Sequence, residues 1–204
     1  MKLRIAIMAA LALAAASGTS RAADPRYPDW PCTQAKVPEV SLAAVWAGPP
    51  IDDIKETWKD DAKVSSLVSK LAARKTPMDE AEKSVKEFLT GSAANKATNA
   101  KLLFAGLFET LNAQRAQVMN GLERTTRKQR EAADKIRDQT LELQALQGAT
   151  PRDETKVETL SNELIWKTRI FEDRNKVVRF VCEVPTTIDQ RLFALGRVIQ
   201  QEME

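Results

Sequence analysis

The chain has 204 residues, 31 Lys and Arg against 28 Asp and Glu, two Cys and no His. That length suits one domain with at most an added arm. Without imidazole, Ser-His-Asp and Cys-His nucleophile systems, HExxH zinc sites and His-ligated haem are excluded, and two Cys cannot build a four-Cys zinc or iron–sulfur site.

Neither a GxxxxGK[ST] phosphate loop nor a GxGxxG turn occurs, so no nucleotide fingerprint is present. Only carboxylates, Lys, Tyr or Ser remain to carry catalysis. No pair among the 28 acids is marked as an acid/base couple, so the chain reads as non-catalytic. A carboxylate-only hydrolase is the weaker alternative.

Residues 1–22 have the layout of a secretory signal. Lys2 and Arg4 precede an unbroken apolar run over 5–16, and a small, polar segment follows. The run falls well short of the roughly 20 apolar residues needed to span a bilayer. Ser20 and Ala22 satisfy the small-x-small rule, which places cleavage after Ala22 and the mature chain in a periplasm or outside the cell. Loss of Lys2, Arg4 and Arg21 leaves 28 bases against 28 acids. The surplus of +3 therefore belongs to the precursor, and nothing global suggests nucleic acid. No later segment reaches transmembrane length without charges, so membrane contact is peripheral at most.

Export permits a disulfide, and one pairing exists, Cys32 with Cys182. Closing a loop of that length is worth roughly 4–5 kcal/mol in the chain-entropy treatment. With no CxxC and no device to lower a thiol pKa, a redox-active pair is disfavoured.

Residues 23–50 form a Pro-rich strap that holds six of the nine prolines. Proline removes amide donors and extends the residue before it. Tyr27, Trp30, Val37, Val40, Leu42, Val45 and Trp46 are too apolar for a free linker, so the strap should lie on the helical body. A short helical turn is expected around 41–46. Trp30 reads as an anchor in a groove or, alternatively, as a partner-facing side chain.

Residues 51–204 form the helical domain. Apolar spacing from Ile51 to Leu71 predicts a first helix, with Asp52 and Asp53 serving its positive end. Asp52-Asp53 and Asp60-Asp61 could also attract calcium, but no EF-hand-like loop is present and Lys55, Lys59 and Lys63 interleave. No metal or cofactor site is expected. Thr76 reads as N-cap and Pro77 as first-turn proline of a second helix, which Gly91 ends.

Residues 92–147 contain no proline. Phe108, Leu122, Ile136 and Leu143 share one heptad position, and Leu111, Val118, Ala132 and Leu146 share the next. Arg115, Thr125, Gln129 and Gln139 interrupt the seam. Gly106 and Gly121 are places where the long helix could bend. Leu102, Leu103, Phe104, Leu107 and Phe108 make a dense apolar patch, read as core ahead of a contact surface.

Gly148-Ala149-Thr150-Pro151 is the clearest turn. Gly148 ends one helix, Thr150 caps the next and Pro151 enters its first turn. So short a connection makes the neighbours antiparallel. Val157, Leu160, Leu164, Phe171, Val178 and Val181 line the return helix. Pro185 should break it, with a final helix restarting at Thr186 or Thr187. The expected fold is thus all-α: an elongated antiparallel hairpin or coiled coil over about 92–183, a small bundled base and the extended strap.

In that geometry Cys182 lies beside residue 117 and residues 124–130 face about 168–174. Arg124, Arg127, Lys128 and Arg130 on one helix then meet Lys167, Arg169, Arg174, Lys176 and Arg179 on the other. The result is a basic belt for an acidic protein partner, anionic headgroups or cell-wall polymer, unless the interspersed Glu123, Glu131, Asp134, Glu172 and Asp173 simply neutralise a solvated face. The functional expectation is an envelope adaptor, chaperone or assembly factor that grips a protein partner through the hairpin, with self-association a further option. Peripheral binding of an anionic surface through the belt is the alternative.

Overall fold

A computed structural model of the chain describes residues 24–54 and 57–203. The expected signal, residues 1–22, lies outside them. The described residues are helical with no strand. After a one-turn helix α1 (Leu42–Val45) come a 3-10 turn at Thr57–Lys59, α2 (Ala62–Ala72), α3 (Met78–Thr90), α4 (Lys96–Gly148), α5 (Glu154–Val181) and α6 (Val184–Met203).

The 53 residues of α4 make a rod of about 80 Å at 1.5 Å per residue. It passes through Gly106 and Gly121 without interruption. Gly106 is a packing site: a β-carbon there would meet Val68 Cγ2 at 2.6 Å and the Trp58 ring at 2.8 Å. Gly121 has only Arg124 Nη2 at 3.9 Å.

α5 returns antiparallel along the outer half of α4, and α6 continues the same course along the inner half. The register is carried by three contacts. Gln129 donates to the Phe171 carbonyl at 3.0 Å, Arg115 meets Asp189 at 2.8 Å, and Gly196 packs beside Phe104. Pro185 is therefore a joint, buried in the first turn of α6, where its missing N–H costs no helical bond. The expected restart at Thr186 or Thr187 lies two residues or more too late.

Three other expected caps differ: at two helix starts another side chain reaches the open amides, and at the start of α3 no side chain caps them. Asp61, rather than Asp52 or Asp53, caps the first full helix, accepting from the Lys63 and Val64 amides. Ile51 is buried ahead of it, outside any helix, and Asp53 pairs with Lys101. Thr76 does not cap α3; its hydroxyl donates to the Lys70 carbonyl at 2.8 Å. Asp153, rather than Thr150, caps α5 through the Lys156 amide at 3.0 Å. That bond is the main reason the Asp153 carboxyl lies below its usual range.

The core sits in the base. Phe104, Leu103 and Leu107 of α4 are fully buried among residues of α2, α3 and α6, with Leu102 and Phe108 partly buried at the edge. The dense apolar patch is thus core. The strap ends on it: Trp46 stacks on Phe104 with ring centroids 4.1 Å apart and donates its indole N–H to the Pro49 carbonyl. Arg191, buried on α6, donates to the Leu71 carbonyl at 2.6 Å, closing the end of α2, where a cation suits the exposed carbonyls.

Candidate functional site

The strap is fastened to one side of the hairpin. Cys32 and Cys182 are joined as a disulfide with Cα atoms 5.5 Å apart, the pairing expected from the sequence. The Gln34 amide donates to the Cys182 carbonyl. Lys36 bonds Glu123, both largely buried, and lies 4.6 Å from the centre of the Tyr27 ring. Arg115, 5 % exposed, donates to the carbonyls of Val37 and Pro38. Its 2.8 Å contact with Asp189 joins Nε to Oδ1 without hydrogen-bond alignment. Burial consequently outweighs the guanidinium and raises the Asp189 pKa above the ordinary value.

The basic belt divides into groups with different occupations, and of its members Arg124, Lys128 and Arg174 line one hollow across the hairpin. Arg127 and Arg130 both clasp Asp29 of the strap, and the hydrogen bond from Arg127 is the largest cause of the lowered Asp29 pKa. Lys167 is held by Glu163 at 2.9 Å and Gln139 at 3.0 Å. Lys176 pairs with Asp173 at 3.1 Å. Arg169 lies on the opposite flank, beside Leu143, Leu164 and Ile165. Trp30 is half-buried, and its indole N–H donates to the Gln34 carbonyl at 2.8 Å, within a turn of the strap.

Arg179 is exposed and outside the trough, and Arg124, Lys128 and Arg174 remain, none of these four with an ion pair among the described residues. Arg124, Lys128 and Arg174 rim a trough between α4 and α5 with a volume of about 580 Å³, whose apolar walls include Val118, Leu122, Ile170, Val177 and Val181. Gln129, bonded to the Phe171 carbonyl and to Asn175, sets 124–130 against the stretch of α5 near 168–175. A second stretch, about 470 Å³, continues toward the tip past Ala132, Ile136 and Phe171 and shares Ile170 and Arg174 with the first.

The trough and the strap occupy opposite flanks. Glu123, Arg127 and Arg130 follow one stripe of α4. Gly121, Arg124 and Lys128 follow another, more than a third of a turn away at about 100° per residue.

The sequence reading missed an exposed apolar stripe on α5, of which Ile170 and Val177 line the trough while Trp166 and Phe180 lie outside its lining. On α5, Trp166, Ile170, Val177 and Phe180 fall within about 80° of one another, nearly opposite the seam formed by Val157, Leu164 and Phe171. Trp166, Val177 and Phe180 are 62 %, 58 % and 78 % exposed. A helical projection of α5 alone reveals this second stripe. Asp29 carried no comparable signal, because its partners lie about a hundred residues away.

Among the described residues no group of three or more Cys, Asp or Glu could hold a metal ion. None of their helices is long and apolar enough to cross a membrane. In class, the molecule is a disulfide-strapped helical hairpin. No protein-family profile, curated protein or solved structure matches the chain.

Proposed function

We propose that this chain is an exported, non-catalytic docking protein: an adaptor, chaperone or assembly factor of the bacterial periplasm that seats an envelope protein partner against its hairpin. The observation that carries the reading is the asymmetry of the hairpin. One flank is closed by a strap held with a disulfide and ion pairs. The other is an apolar trough rimmed by cations that no internal acid engages. An apolar surface flanked by unpaired charge is the usual form of a helix-binding groove.

Photo-crosslinking tests the reading. A benzophenone amino acid at Val177, in the trough wall, should join the chain to one envelope protein in intact cells. The same group at Glu142, near the tip, should not. Uniform crosslinking from both positions, or none from Val177, would refute it. The unpaired Arg124, Lys128 and Arg174 also favour a second reading, peripheral attachment to an anionic surface. Co-sedimentation with phosphatidylglycerol vesicles that fades with salt would support that reading instead.

A further inference from the structure

The two stretches of trough form one channel. It runs from Val118 to Gln139 along α4, about 30 Å at 1.5 Å per residue, the length of a helix of roughly 20 residues. Its floor is mainly apolar, with Val118, Leu122 and Ile136 from α4 and Ile170, Val178 and Val181 from α5, interrupted on α4 by Thr125 and Gln139.

Charge is distributed along both edges. On the α4 edge, Arg124, Lys128 and Lys135 stand four and seven residues apart, intervals that keep side chains in phase with a heptad seam. On the α5 edge stand Arg174 and Lys167. Of the lining's charged side chains, Asp173 is paired with Lys176 at 3.1 Å and Lys167 with Glu163 at 2.9 Å, and Asp138 lies 3.8 Å from Arg137, which leaves Arg124, Lys128, Lys135 and Arg174 as the cations available to an occupant. A lipid chain would be served by one cationic end on a closed pocket, and a membrane plane by cations on a convex face. Cations at heptad spacing along both rims of an open apolar channel match instead a third helix with apolar a and d positions and acidic e and g positions.

We infer that the α4–α5 trough is the seat of an acidic amphipathic helix of the protein partner, which completes a three-helix coiled coil along residues 118–139 and 167–181. The inference rests on the docking reading above and specifies its occupant. Gly121, in the trough wall with only Arg124 Nη2 within 4 Å of where a β-carbon would stand, lets the occupant approach α4 closely. Arg124, Lys128, Lys135 and Arg174 select its charge, because opposed e/g signs attract and like signs repel.

The test uses the full oxidised chain and two fluorescent 21-residue helical peptides. Both carry Leu and Ile at a and d; one carries Glu at e and g, the other Lys. Anisotropy titrations should give saturable one-to-one binding of the Glu peptide and at least tenfold weaker binding of the Lys peptide. The variant Arg124→Glu/Lys128→Glu/Lys135→Glu/Arg174→Glu, which reverses the rim's charge, should invert that preference. Gly121→Leu, whose β-carbon has only Arg124 Nη2 within 4 Å and which should leave the helical circular dichroism intact, should weaken the Glu peptide at least tenfold. Backbone hydrogen exchange in 118–139 and 167–181 should slow when the peptide binds.

Equal affinity for the two peptides, or affinities that ignore the charge inversion, would overturn the inference. So would a concentration-dependent dimer that Gly121→Leu abolishes, since a second copy would then fill the channel. Salt-sensitive binding to phosphatidylglycerol vesicles without peptide binding would hand the site to a membrane. If crosslinking from Val177 still captures one envelope protein while neither peptide binds, the docking function stands and the acidic helix alone is lost.

Discussion

The two glycines of α4 outside its ends and turns should respond to alanine in opposite directions. In an exposed helical position, Gly→Ala stabilises by about 1 kcal/mol, because the glycine backbone has more freedom to lose on folding. Gly121→Ala should realise that gain, since its new methyl meets nothing closer than Arg124 Nη2 at 3.9 Å. At Gly106 the same methyl would lie 2.6 Å from Val68 Cγ2 and 2.8 and 2.9 Å from the Trp58 ring. Neither neighbour yields easily. Val68 is 1 % exposed, and the Trp58 indole is tied to Glu109 at 2.9 Å.

Overpacking of this kind costs typically 1–3 kcal/mol. Severe contact on two sides places Gly106→Ala at the upper part of that range, so after the helical gain it should lose about 1–2 kcal/mol. The pair should therefore differ by about 2–3 kcal/mol. Urea unfolding followed by far-ultraviolet circular dichroism measures this, as opposed shifts in midpoint at unchanged slope. Tryptophan fluorescence should report disturbance in Gly106→Ala alone. Equal gains would mean that α4 is not packed on Trp58 and Val68. A loss at Gly121 would mean that the rod bends there and that α4 is not one helix.

Three further predictions follow from the strap and its anchors. Cys32→Ser/Cys182→Ser opens a loop of 150 residues and should lower stability by up to about 5 kcal/mol, with trypsin cutting the strap long before the hairpin; identical melting of oxidised and reduced protein would contradict it. Arg115→Met removes a buried cation from the strap carbonyls and from Asp189, and should cost about 3 kcal/mol by thermal or urea unfolding, the low end for breaking a buried pair because Asp189 is partly exposed; a loss under about 1 kcal/mol would show that the strap does not depend on it.

The pH response has two signs. Asp29 and Glu109 are more acidic folded than unfolded, through Arg127 and Lys59 respectively. Their contributions are present above the unfolded values of 3.8 and 4.5 and are lost as pH falls through the lower folded ones. Asp189 is the reverse: its contribution is present below 3.8 and disappears as pH rises through its raised folded value. In the Cys-free variant, exchange protection of the strap should therefore fall on acidification below about pH 4. Asp29→Asn should remove most of that dependence, and an unchanged acid limb would refute the clasp.

Local rules made much of this molecule readable before folding. Apolar spacing of three and four residues produces helices whatever surrounds them. Gly148 and the short turn after it force the neighbours antiparallel. Two cysteines admit one pairing, so the bond from strap to residue 182 follows from counting, and so, from the turn at 149, does the approach of Gln129 to Phe171. These are properties of the chain within a few turns, or of arithmetic, and no distant neighbour alters them.

What only the tertiary structure decided is which side chain meets which. Asp61 and Asp153 cap where Asp52 or Thr150 had equal local claims, and Thr76 turns its hydroxyl to the Lys70 carbonyl, leaving the start of α3 without a side-chain cap. Pro185 became the joint between α5 and α6 because α4 offers both one continuous surface. The basic belt was evenly charged as a string of letters. Folding laid Asp29 against Arg127 and Arg130 on one flank and left Arg124, Lys128 and Arg174 unpaired above an apolar floor on the other. Periodicity specifies the faces of a helix, but the identity of the neighbour on each face depends on contacts a hundred residues away, which no local pattern encodes.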